Sequence, residues 1–225
     1  AVVVLKENGI IRLSWHIWVC NFDPDQNTGL NNYNGAILMD RDLGAINTTF
    51  GDIGTYGLYY QLGRPVPFPK ASALTSTNAK SVYNTEGNVV TIAKDDIAAK
   101  EQSWRNLAYA ILNPSTFITN SRSGSYSDWY SRTMPLQTPA ETLIRRKDLW
   151  GPTYKSVYDP CPDGWKVPEM RIMEYTPFNS FTEGAGTILS DMQGNHLGIF
   201  ASSGYVLHST GNISGAGKGY YCWLS

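Results

Sequence analysis

Two apolar runs open the chain, at residues 2–5 and 10–13, separated by Glu7-Asn8-Gly9. Asn-Gly supplies the positive φ angles of a tight two-residue turn, so the pattern predicts a β-hairpin. Two further apolar runs, Trp15-His16-Ile17-Trp18-Val19 and Ala36-Ile37-Leu38-Met39-Asp40, flank the Asn-, Asp- and Gly-rich stretch 21–35. They read as core strands joined by an exposed loop. Gly57-Leu58-Tyr59-Tyr60-Gln61 is another strand candidate. The alternating prolines of Arg64-Pro65-Val66-Pro67-Phe68-Pro69 then remove backbone donors and predict the end of regular structure, with a surface excursion to about residue 88.

The helical pattern is strongest over residues 96–113. Asp96 is placed to cap it, Ile97, Trp104, Leu107, Ala108, Ile111 and Leu112 form one stripe, and Asn113-Pro114 stops it. Such a helix is expected to pack on a sheet. Residues 121–131 are small, polar and aromatic, which suits a loop first and an adaptable recognition surface second. A short helix is expected after Pro168, through Met173 or Tyr175. From Gly186 onward, short apolar runs alternate with Gly, Asn and Ser as in a β-meander, and Tyr220-Tyr221-Cys222-Trp223-Leu224-Ser225 reads as a last strand. There is no repeat period and no long linker, so one continuous domain over 1–225 is expected. The chain begins without Met and directly in a strand, and reads as a fragment of a longer polypeptide.

Composition sharpens this picture. With 14 Tyr, 7 Trp and 21 Gly in 225 residues, the class is β-rich with some helix. The length suffices for a core that needs no metal or disulfide. Eighteen basic residues against 19 acidic ones give a net charge of -1, so no broad positive field exists to collect nucleic acid or anionic lipid. No apolar window approaches the length that spans a bilayer.

The chemistry-bearing residues are sparse. The three histidines, His16, His196 and His208, have no nucleophile or acid in a recognisable local arrangement, and packed or turn roles are expected for them. Of the paired acids, Asp23/Asp25 read as a turn and Asp95/Asp96 as helix caps, and a structural role rather than that of general acid and base is expected for Asp40/Asp42 too. Residues 23–32 offer oxygens but not the EF-hand spacing. Gly215-Ala216-Gly217-Lys218-Gly219 lacks the spacing and the following Ser or Thr of a phosphate loop, and is read as a plain loop. Cys20, Cys161 and Cys222 form no C-x-x-C pair. No catalytic constellation, metal site or cofactor is expected.

Residues 159–168, Asp-Pro-Cys-Pro-Asp-Gly-Trp-Lys-Val-Pro, match the pattern D-P-C-P-x-G-W-x-V-P. Upstream, Ser14-Trp15-His16-Ile17-Trp18-Val19, Met39-Asp40-Arg41-Asp42-Leu43-Gly44-Ala45 and Tyr56-Gly57-Leu58-Tyr59-Tyr60-Gln61-Leu62-Gly63-Arg64 are similar, in order, to W-H-I-W, M-D-R-N-L-G-A and G-L-Y-Y-Q-W-G-R. Asn113-Pro114-Ser115-Thr116-Phe117 and Asp128-Trp129-Tyr130-Ser131 extend the likeness. In these blocks the chain resembles the FISUMP ("major paralogous") domains of Bacteroidota surface and fimbrial-tip (fimbrillin-like) proteins. The resemblance implies an α+β fold of C-type-lectin-like form, with twisted antiparallel sheets, flanking helices and long loops. In the signature, Pro160 and Pro162 extend the backbone, Gly164 permits a turn and Trp165 can fill the core as a strand begins, so Cys161, Gly164 and Trp165 are read as structural.

The chain departs from the family at Leu62, where Trp is frequent, and at Asp163, and the family's closing strand with its final cysteine is missing after Ser225. Cys161 resembles the cysteine that pairs with that final one, so its partner lies outside the chain or is Cys222. The calcium-chelating motifs of sugar-binding lectins and the copper cysteines of formylglycine-generating enzymes are both lacking, so neither activity carries over.

What the resemblance implies is a non-enzymatic adhesion or ligand-binding domain of the cell surface. It would stand at a fimbrial tip or on a lipoprotein, at the extracellular face of the outer membrane, and grip a host or microbial glycan or protein. Tyr126, Asp128, Trp129 and Tyr130 are the candidate ligand-binding residues, since flat aromatics stack on sugar or peptide faces; Trp129 reads equally well as core. The alternative is an accessory subunit of a surface filament or outer-membrane uptake complex, and a hydrolase is the least supported reading.

Overall fold

The structure, a computed structural model, describes residues 1–23, 32–33, 36–96, 103–120, 129–130, 149–151, 153–169, 182–190 and 196–223. The opening hairpin forms as its sequence predicts. Strand β1 (Val2–Glu7) pairs antiparallel with β2 (Ile10–His16), and the turn residues Asn8 and Gly9 both take positive φ, 51° and 79°. That pair of angles is the type I′ geometry, whose twist matches the strands it joins. A bulge between Leu5 and Lys6 shifts the register, and Ala1 and Ile17 close the open end with two backbone bonds of 2.7 Å.

The remaining strands are short. β3 (Asn32–Tyr33) pairs with β4 (Ala36–Ile37), β5 (Tyr59–Tyr60) with β6 (Pro67–Phe68), and β7 (Val82–Tyr83) with β8 (Val89–Val90), all antiparallel. β9 (Ala93–Asp95) precedes helix α1 (Ser103–Leu112) and pairs parallel with β10 (Thr116–Ile118) after it. β11 (Gly186–Ser190) with β12 (His196–Ala201), and β13 (Tyr205–Val206) with β14 (Ile213–Ser214), are two separate hairpins. The described residues thus make small, mostly antiparallel two-stranded sheets around one helix.

Several expectations are corrected. The apolar run 15–19 is not a core strand: β2 ends at His16, and Trp15, Ile17 and Val19 are exposed. Only Ala36–Ile37 of the next run is strand. The proline-rich segment does not leave the fold. Pro67 sits on a strand with one neighbour, where its missing N–H is tolerated, and Val66, Phe68 and Ala71 are buried. Residues 220–223 carry no strand.

Helix α1 stops before Asn113-Pro114 as expected, and Asn113 N–H closes it on the Tyr109 carbonyl at 2.9 Å. Its buried side matches the predicted stripe only in part: Leu107 packs against the core, but Asn106 and Ala110 face inward while Ala108, Ile111 and Leu112 are exposed. Asn106 decides the rotation, because its Nδ2 donates to the Trp129 carbonyl at 2.7 Å in the interior. Residues 97–102, where the helix was expected to begin, lie outside the described residues, as does the helix expected after Pro168 from residue 170 on. Asp95 is a strand residue that accepts from the Tyr109 hydroxyl at 2.8 Å, not a cap.

Among the described residues, two apolar clusters stand out in the core. Tyr56, Tyr59, Phe68, Phe117, Ala201 and Ile213 centre one, and Ala110, Ile118, Trp129 and Leu149 the other. Between them Arg64 is almost wholly buried, with its guanidinium bonded to the Gln61 side chain (2.9 Å) and to the carbonyls of Thr116 (2.7 Å), Asn113 (3.1 Å), Pro114 (3.1 Å) and Ala110 (3.4 Å). It therefore collects carbonyls at the end of α1, where no helical donor remains. Lys70 does the same for the 3₁₀ turn Ile53–Thr55, donating to the carbonyls of Ile53 (2.8 Å) and Tyr56 (3.1 Å).

Candidate functional site

The signature segment folds around Asp159. One carboxylate oxygen accepts from the Cys161 amide (2.8 Å) and Lys155 (3.0 Å), and the other from the Val167 amide (3.0 Å), so both ends of the loop close on one buried side chain. Gly164 takes φ +75°, as a turn there requires. Trp165 is corrected: no strand starts at it, and it is half-buried, edge-on to Phe22 at 5.7 Å, which stacks on Trp18 at 6.0 Å. The sequence reading credited the prolines and Trp165; the first residue of the motif holds the loop. Asp159→Ala is expected to destabilise the fold by about 2–3 kcal/mol, since charged hydrogen bonds are lost and buried amides orphaned. Urea unfolding of the variant against the parent chain measures it, and an unchanged midpoint would refute the clasp.

Trp165 also stands at a cavity of about 690 Å³ whose walls include the aromatic rings of Tyr60, Trp150, Tyr220, Tyr221 and Trp223. Indole N–H groups fix its frame. Trp150 donates to the Tyr158 carbonyl (2.7 Å), Trp223 to that of Tyr60 (2.7 Å), Trp129 to that of Leu62 (2.8 Å), and Trp18 to that of Ala45 (3.0 Å). Rings then brace one another: Trp150 on Trp223 at 6.0 Å, Tyr205 on Tyr221 at 4.7 Å, and Phe200 on Tyr220 at 4.9 Å.

Polar groups also line the cavity, among them Arg41, Asp42, Gln61, Lys166, Ser203 and His208. Asp42 accepts from the Tyr220 hydroxyl at 3.3 Å through Oδ1, while Oδ2 is shut from water with no hydrogen-bond partner. Burial raises its carboxyl to about 7 and keeps the Tyr220 hydroxyl protonated. Tyr60 meets His16 Nδ1 at 3.0 Å, and burial, followed by the nearby N-terminal amine, lowers that imidazole to about 4. A neutral His16 accepts this proton from a hydroxyl whose own ionisation is pushed up by burial. His208 Nδ1 lies 3.0 Å from the Asn120 carbonyl and so is its donor. Cys161 and Cys222 line the same cavity, and burial raises both thiols. Neither is poised as a thiolate nucleophile. They are free, so a Cys161 to Cys222 disulfide is not formed; each loop is held by other bonds, the first by Asp159 and the second by Tyr220 and Trp223.

Of the four predicted ligand-binding residues, Trp129 and Tyr130 are described, and neither stands on an open surface. Trp129 is 4% exposed, in the core cluster, with its carbonyl bonded to Asn106 and its ring 6.0 Å from the Arg64 guanidinium. It reaches the cavity only as part of the inner wall. Tyr130 is half-buried against the same cluster, edge-on to Trp129 at 5.9 Å. Tyr126 and Asp128 lie outside the described residues, as do the His196 side chain and most of the Asp23 loop. Asp40 is spent on Arg41, at 2.7 and 2.8 Å. The 215–219 segment is a turn, as read. Among the described residues no group of three or more His, Cys, Asp or Glu converges on a metal-sized site, and no helix is long and apolar enough to cross a membrane.

Sequence alone missed the cavity because its walls come from segments more than 150 residues apart, such as Tyr60 and Trp223. The one available signal was the density of Tyr and Trp after residue 204. Compared with protein-family models, with curated proteins and with solved structures, the chain has no match in any of the three.

Proposed function

We propose that this chain is a non-enzymatic adhesion or ligand-binding domain of a bacterial cell surface, with a C-type-lectin-like fold. The observation that carries the reading is the aromatic cavity. Its volume falls in the range of small-molecule and glycan sites, and its rings are fixed in place before any ligand arrives. The local chemistry agrees with binding rather than turnover: His16 is held neutral by burial, His208 is bonded to a carbonyl, and the cavity's thiols are protonated. The family resemblance supplies the setting, a fimbrial tip or surface lipoprotein of a Bacteroidota-type outer membrane.

The test is a glycan and host-protein array probed with the chain, followed by titration of the hits. Trp165→Ala and Tyr221→Ala are expected to weaken binding about 10-fold or more each, on the scale of losing one aromatic contact. Hits that bind both variants as well as the parent would sink the cavity as the site. A second reading, an accessory subunit of a surface filament or uptake complex, is favoured by the exposed apolar residues of the first hairpin. Pilin or transporter subunits co-purifying in stoichiometric amount from native cells would support that reading.

A further inference from the structure

Alternation in the hairpin sorts its side chains onto two faces. Val4, Ile11, Ser14 and His16 are half-buried on one of them. On the other, Val3 stands opposite Trp15 and Leu5 opposite Leu13, with Ile10 near the turn and Ile17 continuing the alternation. These six are each 46–53% exposed, although every one is a large apolar residue. A two-stranded sheet with an open apolar face is marginal in water, and contiguous patches of this kind mark interfaces.

We infer that this outer face packs against the same face of a second copy of the chain, sheet on sheet about a twofold axis near the Leu5/Leu13 pair. Two observations select a second copy as the occupant. The first is charge. None of the six side chains is charged, and Glu7, which stands opposite Ile10 on the same face, is neutralised by Arg12 at 3.0 Å within the hairpin. A face with net charge would repel its own image, whereas this one carries six apolar side chains and one internally neutralised ion pair at the turn end, so it has no net charge to oppose a twofold contact. The second is area. These six side chains offer on the order of 600 Å² of apolar surface, so two copies would bury ~1,200 Å², the lower bound of specific interfaces. Facing sheets stack about 10 Å apart with side chains interdigitated, and the paired rows Val3/Trp15 and Leu5/Leu13 supply such ridges. This contact is independent of the ligand assigned to the cavity.

Sedimentation equilibrium of the 225-residue chain over a wide concentration range tests it. The expected result is a monomer–dimer equilibrium. Leu13→Glu, or the milder Leu13→Ser, should weaken it about 10-fold or more by placing a polar group in a desolvated contact. Val157→Glu, at an exposed apolar position of another loop, should leave it unchanged. Near-UV circular dichroism of each variant confirms that the fold persists. A parent chain that stays monomeric throughout overturns the inference, whatever other molecule covers the face, and so does a dimer that both position-13 variants retain.

Discussion

Arg64→Ala should destabilise the chain by about 3–5 kcal/mol, the range for removing one member of a buried charged network. Burial lowers the Arg64 guanidinium to about 10, which still leaves it charged at neutral pH, and all its bonded partners are neutral oxygens. The cost of burying the cation is offset by those bonds and by the faces of Phe68 at 5.3 Å and Trp129 at 6.0 Å. Removing it orphans the carbonyls at the end of α1 and leaves a void between the two core clusters. Arg64→Lys should recover less than half of the loss, because an ammonium cannot span the same fork of acceptors. Urea unfolding, read by near-UV circular dichroism, measures both variants. A loss below about 1 kcal/mol for Arg64→Ala would show that the network is dispensable.

The second large effect is in pH. The Asp42 carboxyl titrates near 7 in the fold and near 3.9 when unfolded, so between those values the native state holds a proton that the unfolded chain has released. Its contribution to stability is complete below about pH 4 and is lost as pH rises through 7, to a limit of roughly 3–4 kcal/mol. His16 acts in the opposite sense: with its folded value lowered to about 4, its contribution is present above 6.5 and is lost as pH falls through 4. The parent chain alone therefore does not isolate either group. Asp42→Asn does, since it keeps the shape and the contact to Tyr220 but cannot ionise. The variant should equal the parent only below about pH 4 and exceed it increasingly as pH rises to 7 and above, and curves that stay parallel from about pH 3.5 to 8 would refute an ionising Asp42.

The hairpin was legible because everything that makes it is local: two alternating runs and an Asn-Gly turn. The end of α1 was legible for the same reason, since Pro114 cannot continue a helix. The orientation of α1 was not, because a single polar residue, Asn106, overrides the apolar stripe by bonding a carbonyl 23 residues away. The proline-rich segment misled in an instructive way. Proline removes donors, which matters in a wide sheet and hardly at all in a two-residue ladder, while its extended backbone carries Phe68 and Arg64 inward. Of the candidate site, the signature was visible and its logic was not: the Asp159 carboxylate reaches both ends of its loop only after the turn at Gly164 brings residue 167 back. The burial of Asp42 was not legible either, because the Tyr220 hydroxyl bonded to it comes from 178 positions away.

Three indoles tie a loop to main chain 27 to 163 residues away and a fourth to main chain 8 residues away, and the ladders between most loops are only two residues long. Cooperativity in such a molecule is patchy. A strap held by one indole can swing out while its neighbours stay latched, so excursions around the cavity would be sub-global foldon openings rather than steps of whole-chain unfolding. Each indole proton is then a separate clock, and its exchange with solvent times the release of its own loop.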